Sequence, residues 1–345
     1  MKTKLLAYCL VAAFLAAFAL PDAQAQKDRR RGTAGADYLL IPITARTAAL
    51  GTTTTSGLSD MSGVEVLFSN PAGLTANGGT NALFSRMEYV ADIGVNYLGV
   101  AQNFGNNNIA LSLMSWDFGD IPLQTEEQPE ISSVTWSASY VTAGLSYARQ
   151  FTDRISAGVT AKVLSENIDD VGATGMAFDA GMTYTVGESG LRFGVSLKNL
   201  GPQMAYSGDG LVQLIRLPSQ SGNATPNAVT LEGADFELPS LLNFGVAYSR
   251  PIGASSVVTV LGNFRSNSFE EDQYAAGLEV GLLEILYVRG SYQLQSDMDN
   301  TFYTGTNFGA GLNLNLGDTR FNVDYAYRST DFFDGVNMIT ASVTL

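Results

Sequence analysis

The stretch FNVDYAYR, from Phe321 to Arg328, alternates between two chemically different faces. Large apolar side chains occupy its odd-numbered positions, whereas Asn, Asp, Ala and Arg occupy the even-numbered ones. A period of two residues is typical of a β-strand whose two faces meet different surroundings. The chain is therefore predicted to be all-β, because the same pattern recurs in Ile155–Val163, Met176–Val186, Leu191–Lys198, Leu242–Ser249 and Phe308–Leu316.

The alternating segments are even in number and long. An even set of strands, each about 10 to 13 residues long, is typical of tilted strands that cross a membrane. We predict a transmembrane antiparallel up-and-down β-barrel of about 14 strands, with an N-terminal segment plugging its lumen. A soluble periplasmic β-protein is the alternative architecture. The predicted strands are residues 80–90, 93–104, 108–118, 138–150, 154–165, 174–186, 191–200, 239–250, 255–265, 272–281, 284–295, 304–316, 319–329 and 335–345.

The predicted connections differ in length on the two sides of the barrel. Tight links follow the even-numbered strands, and longer or more polar links follow most odd-numbered ones, including residues 119–137 and 201–239. This asymmetry is typical of barrels in the bacterial outer membrane, and it predicts that both termini are periplasmic. Aromatic residues near strand ends predict interfacial girdles: Tyr89, Trp116, Trp136, Tyr140, Tyr147, Phe151, Tyr248 and Tyr274.

The N-terminal part of the chain does not alternate. Lys2 and Lys4 precede an apolar run that ends before Ala23-Gln24-Ala25, so residues 1–25 are predicted to be a secretory signal peptide. Residues 26–78 are interpreted as a periplasmic N-terminal tail and a luminal plug, and residues 79–345 as the barrel. The plug has too few apolar residues to fold alone, and a wide barrel has a lumen to fill.

Composition excludes several classes of function. Removal of residues 1–25 leaves 17 basic and 32 acidic residues, a net charge of 17 − 32 = −15, so no nucleic acid partner is expected. The chain has no histidine, and Cys9 is its one cysteine. Catalytic triads, thiolate nucleophiles and His- or Cys-ligated zinc are therefore excluded from the mature chain. We predict a protein that is not an enzyme, with no cofactor and no metal site.

Charged residues on the polar faces of the strands are candidates for the lumen. Three are basic and three are acidic. Such side chains are tolerated inside a wet or crowded lumen, where they find partners, but not against lipid. The candidates are Lys162, Asp179, Arg192, Glu279, Arg289 and Asp324.

Two motifs in the plug carry a family resemblance. Pro42-x-x-Ala45-Arg46-x-x-Ala49-Leu50-Gly51 is followed about twenty residues later by Asn70-Pro71-Ala72-Gly73-Leu74. Together they resemble the N-terminal signature of the PorV/PorQ family, a branch of the FadL-like outer-membrane barrels. The stretch FELPSLLNFGVAYS, Phe236 to Ser249, is similar to a second stretch of that family.

The resemblance implies a barrel whose N-terminal segment lodges in the lumen. Asn70, Pro71 and Gly73 would bend the chain from the plug into the first strand, because Pro71 keeps Asn70 out of helical conformation and glycine permits a sharp bend. Arg46 would point into the lumen and pair with an interior carboxylate, for which the candidates are Asp179, Glu279 and Asp324.

The resemblance also implies a function. PorV/PorQ barrels act in type IX protein secretion, where they bind exported cargo or the translocon and attachment machinery. The alternative is FadL-like transport of hydrophobic small molecules through a plugged barrel. Outer-membrane lipid and lipopolysaccharide are expected around the barrel, protein partners on extracellular loops such as residues 201–239, and a hydrophobic ligand in the lumen.

Overall fold

The computed structural model describes residues 33–58, 61, 63–76, 79–123, 134–216, 225–295 and 302–345. The predicted signal peptide, residues 1–25, and the start of the predicted periplasmic tail, residues 26–32, lie outside these residues. In the described part of the chain, no helix has the length and apolarity needed to cross a membrane.

Fourteen antiparallel strands of the described chain close into one barrel. Each strand pairs with its neighbour along the chain, and the seam is closed by the first and last strands, with Ser85 opposite Thr340. All fourteen predicted strands occur, so the predicted fold class is confirmed. The barrel strands are β1 (Thr80–Glu88), β2 (Gly94–Phe104), β3 (Asn107–Pro122), β4 (Thr135–Thr152), β5 (Ile155–Ile168), β6 (Val171–Thr185), β7 (Leu191–Leu200), β11 (Leu241–Ile252), β12 (Ser256–Asn267), β13 (Gln273–Leu282), β14 (Leu286–Gln295), β15 (Tyr303–Leu316), β16 (Thr319–Thr330) and β17 (Val336–Thr344).

The alternation sorts apolar side chains outward and small or polar ones inward. On β16, Val323 is 50% exposed, whereas Asp324 and Ala326 on the opposite face are buried. Apolar side chains also face outward on the other strands, as at Leu111 and Phe244. A two-sheet sandwich would bury these groups between its layers, so the structure contradicts the soluble alternative on this point.

The two ends of the barrel differ, as the connections predict. We call one the short-turn end, because tight turns such as Gly105–Asn106 and Gly317–Asp318 join its strands. The other, the long-loop end, carries most of the longer connections, although β5 and β6 are joined there by Asp169–Asp170 alone. The connection from β7 to β11 contains three short strands, β8 (Ser207–Gly208), β9 (Val212–Ile215) and β10 (Asn227–Thr230).

The segment before β1 fills the lumen from one end to the other, and we call residues 33–76 the plug. Its backbone begins at the long-loop end, where Gly35 donates to the carbonyl of Glu237. It ends at the short-turn end, where the Thr75 hydroxyl donates to Ser156 at 2.8 Å. The plug contains a short α-helix, Ala45–Ala49, and 3₁₀ turns at Asp37–Leu40, Gly51–Ser56, Gly63–Val66 and Pro71–Thr75.

The C-terminus lies at the short-turn end, because Leu345 exchanges backbone hydrogen bonds with Thr80. The described chain therefore starts and finishes at opposite ends of the barrel. The predicted mature N-terminus, at residue 26, lies outside the described residues, so the expectation that both termini are periplasmic stays a prediction. Within the described residues, the plug runs the full height of the lumen before it joins β1.

Candidate functional site: the plugged lumen

The plug is buried by contact with the barrel wall rather than by a core of its own. Every residue from Pro42 to Ser56 is buried, although most of them are Thr, Ser, Ala or Gly. Leu50 packs with Leu58 and Met61 of the plug and with Ala247 of the wall. A polar segment can be buried this densely only because its small side chains find hydrogen-bond partners.

Glycines on the inner wall allow the plug to approach the strands closely. A Cβ atom at Gly277 would lie 2.7 Å from the Thr53 hydroxyl oxygen, and one at Gly245 would lie 2.8 Å from the Ser56 nitrogen. Cβ atoms in proteins essentially never come closer than 3.0 Å, so a side chain added at these positions would force the plug or the wall to shift. Further wall glycines pack against the plug in the same way: Gly99, Gly158, Gly181, Gly194 and Gly309.

Arg46 joins the plug to the barrel wall through an ion network. Its Nε and Nη2 atoms donate to the two carboxylate oxygens of Glu279 at 3.1 and 3.0 Å. Glu279 also accepts from Arg289 Nε at 2.5 Å, and Arg289 pairs in turn with Asp324. Glu65 of the plug lies 3.9 Å from Arg46. Four of the residues singled out from the sequence thus converge, and Glu279 is the partner that Arg46 takes among the three candidates.

Lys162 and Asp179 form a separate pair on another part of the wall. Their side chains lie 2.8 Å apart across β5 and β6, and Lys162 also donates to Asn199 at 2.6 Å. Arg192 belongs to neither cluster. It lies half-buried near the short-turn end of β7, on the same face as Gly194 and Ser196.

The Asn70-Pro71 motif makes the floor of the plug. Asn70 is extended and caps the 3₁₀ turn Pro71–Thr75 by accepting a hydrogen bond from the Ala72 nitrogen at 3.0 Å. Its amide also donates to the Thr55 carbonyl at 2.8 Å and to wall carbonyls on β6 and β7. Gly73 lies within this turn without a positive φ, and Val66 packs within 2.9 Å of where its Cβ would be.

Lys198 is a functional candidate that the sequence analysis did not single out. It is 2% exposed, its ammonium donates to the carbonyl of Phe68 in the plug, and it lies 3.8 Å from the centre of the Phe68 ring. Its place on the polar face of β7 could have drawn attention to it. Its partner could not be deduced, because Phe68 lies in the plug, where no alternation predicts orientation.

A cavity of about 60 Å³ lies between the start of the plug and strands β2 to β7. Apolar groups of the plug form one side of it, including Leu39, Ile43 and Phe68. The wall side carries Thr142, Lys162, Asp179 and Lys198. The cavity can therefore offer an apolar surface and a few polar groups to one occupant, which is the usual character of a small-molecule site.

Aromatic rings cover this cavity toward the long-loop end. The Tyr38 ring of the plug lies 6.0 Å from Trp116 and 5.2 Å from Tyr140, and Trp116 lies 5.3 Å from Tyr89. The prediction that Tyr89, Trp116 and Tyr140 belong to interfacial girdles is therefore wrong. They turn inward because the plug offers them ring partners. Tyr147, Phe151 and Tyr248 do face outward.

A second cluster closes the same end. The Tyr206 hydroxyl, in the connection between β7 and β11, donates to Glu166 of β5. Burial and then the neighbouring Glu166 carboxylate raise the pKa of Tyr206 far above its usual range, so the hydroxyl stays protonated. Tyr206 also packs against Phe236 of the same connection, with ring centres 5.4 Å apart, and its contact with Glu166 holds the connection against the barrel wall.

Similar solved structures share the barrel fold. CymD, a monoaromatic hydrocarbon channel, matches with a TM-score of 0.56 at 12% identity, over 88% of this chain and 97% of that chain. The Pseudomonas putida toluene transporter TodX matches with a TM-score of 0.53 at 14% identity, over 88% and 98%. A Pseudomonas aeruginosa FadL homologue matches with a TM-score of 0.51 at 10% identity, over 88% and 98%. The fold is that of the FadL-like barrels.

At these identities the likeness to FadL-like barrels concerns the fold alone. No protein-family model matches the chain, and no curated protein matches it significantly. The narrower resemblance to PorV/PorQ gains no support from these comparisons. The signature residues Pro42, Ala45, Leu50 and Gly51 are all buried, because they lie in the part of the plug that the wall surrounds.

Proposed function

We propose that this FadL-like barrel carries hydrophobic small molecules across the bacterial outer membrane. The observation that supports it most directly is the cavity between the plug and the wall, which combines apolar groups with Lys162, Asp179 and Lys198. The similar structures include proteins described as hydrocarbon channels and a toluene transporter. The proposal makes the cavity the ligand site and the plug the part that controls passage.

In this proposal the outward apolar faces lie in the lipid of the outer membrane. The long-loop end then faces the outside and lipopolysaccharide, and the short-turn end faces the periplasm, as in other outer-membrane barrels. A ligand would arrive beneath the Tyr38, Trp116 and Tyr140 rings and leave on the side where the plug joins β1.

The small size of the cavity indicates a closed state of the proposed transporter. A volume of about 60 Å³ is less than half of the ~150 Å³ that holds a benzene molecule in a protein interior. An aromatic or aliphatic ligand therefore requires the plug to move. Contacts between wall glycines and the small side chains of Ala49 and Thr53 suit such a movement, because these side chains are short.

A disulfide between the plug and the wall tests this proposal. The Cβ of Thr53 lies 3.5 Å from the position of a Cβ at Gly277, within the range of ~3.5 to 4.5 Å found in disulfides. We expect Thr53→Cys/Gly277→Cys, when oxidised, to abolish uptake of radiolabelled toluene and oleate by a bacterial host that lacks such a channel. Reduction should restore uptake. The single variant Thr53→Cys has no partner thiol, so it should take up both probes even under oxidising conditions.

The result that contradicts the proposal is equally clear. If the unmodified protein, folded in the host outer membrane, raises uptake of neither probe over an empty host, the transport function is wrong. If the oxidised double variant takes up either probe at the unmodified rate, the plug does not control passage.

The role in type IX secretion stays a prediction. One surface suits it: the hairpin of β9 and β10 pairs with itself and exposes apolar side chains, among them Leu214 at 74% exposure. Exposed apolar groups of this kind are common where proteins meet partners. The hairpin lies within residues 201–239, where partner contact is expected from the sequence.

A further inference from the structure

We infer that the ion network around Arg46 is the gate that closes the lumen toward the short-turn end. The inference rests on the proposed transport function, since it identifies the point of the plug at which passage is controlled. In this gate, Arg46 is the group on the plug, and Glu279, held by Arg289, is its partner on the wall.

One short segment of the plug lines two cavities. Ile43 lines the 60 Å³ cavity proposed as the ligand site. Arg46 lines a second cavity of about 10 Å³, together with Arg289, Asn322 and Asp324. Asn322 belongs to β16, close to the Gly317–Asp318 turn, so the second cavity lies toward the short-turn end. We place the path between the two cavities across residues 43–46 of the plug, because this segment lines both of them.

The segment at this crossing is held to the wall by charge. Arg46 makes a two-point contact with Glu279, and both side chains are buried, at 5% and 2% exposure. Paired charges in a low-dielectric interior attract strongly, and planar two-point contacts between guanidinium and carboxylate fix geometry as well. The neighbouring contacts of the same segment are neutral: the Ala45 nitrogen donates to Thr340, and Ser291 donates to the Ala49 carbonyl.

The wall side of the network remains satisfied when the plug moves away. Glu279 keeps its contact with Arg289, which in turn keeps Asp324, and the Tyr287 ring lies 5.4 Å from the Arg289 guanidinium. Departure of Arg46 therefore does not leave a bare carboxylate in the wall. Because Glu279 keeps one basic partner, this contact opens at lower cost than an isolated buried pair would.

Ion conductance across a planar lipid bilayer tests the gate without any hydrophobic ligand. We expect Arg46→Met to raise the fraction of time in a conducting state, measured in potassium chloride, by at least about tenfold, because the lost pair is buried. Failure of this test and failure of the transport function are distinguishable, since potassium and chloride flux does not depend on toluene or oleate uptake.

Arg320→Met is the matched control. Arg320 lies on β16 at the same end of the barrel, but its guanidinium contacts Asn315 of the neighbouring strand at 3.3 Å. Both variants are first checked for folding by the heat-dependent shift of the barrel on gels. The inference is overturned if folded Arg46→Met conducts like the unmodified protein, or if Arg320→Met conducts as strongly as Arg46→Met.

Discussion

At the scale of the residue, Asn70 shows how one side chain can organise a buried turn. Its carbonyl oxygen accepts from the Ala72 nitrogen, and its amide nitrogen donates to the Thr55 carbonyl. It thereby ties two turns of the plug together and caps one of them. Asn provides a donor and an acceptor in one short side chain, which neither Asp nor Ala can do.

Replacing Asn70 should loosen the plug. We expect Asn70→Ala to cost about 1 to 3 kcal/mol, because it leaves buried backbone groups without partners. The plug should then become cleavable by protease at lower urea concentration than in the unmodified protein. Asn167→Ala, which removes an exposed side-chain contact with Ser165 on β5, should change the midpoint little. Equal protection of the Asn70 variant would contradict this role.

At the scale of the element, each wall strand is shaped for two neighbours and for the plug. Gly277 of β13 faces Thr53 of the plug, whereas Gly290 of β14 has no such contact, its nearest neighbour being the Asn307 carbonyl at 3.7 Å from a built Cβ. The same residue type thus serves close packing at one position and leaves room at another.

This contrast gives a matched pair of substitutions. Gly277→Ala should lower the free energy of unfolding in urea, measured in lipid vesicles, by about 1 to 3 kcal/mol, since the added methyl overlaps the plug. Gly290→Ala should change it by no more than about 0.5 kcal/mol. A similar effect of both substitutions would show that plug contact does not determine the cost.

The positions of the strands were more predictable from the sequence than the partners of individual side chains. Strand positions follow from alternation, because lipid-facing and lumen-facing sides differ chemically, but β4 spans Thr135–Thr152 where residues 138–150 are predicted. Alternation fades toward the ends of the strands, where the two faces no longer meet different surroundings. The choice of Glu279 for Arg46 and the contact between Lys198 and Phe68 depend on how the plug sits within the ring, which no local pattern encodes.

At the scale of the whole molecule, the outward surface determines where the barrel can reside. Val323 lies mid-strand on β16 and Leu316 at the short-turn end of β15, and both face away from the lumen. Both are strongly exposed. In water such a surface would be costly, and in a bilayer it is the expected lining.

The proposed membrane position predicts a dependence on depth. Val323→Arg should cost about 2 to 4 kcal/mol of folding free energy in lipid vesicles, and Leu316→Arg about 0 to 1 kcal/mol, because charge is tolerated near the interface. Urea titration of tryptophan fluorescence in the same vesicles measures both. Equal costs for the two arginines would contradict the assigned depth.

The pairing of β1 with β17 also constrains biogenesis. The ring can be sealed only after the last residues have been synthesised, and by then the stretch ahead of β1 has long been made. Since the plug spans the lumen from one end to the other, the sheet has to close around it when β1 pairs with β17. The plug thus serves as a template around which the barrel closes. A chain lacking the plug would have to close over an empty lumen.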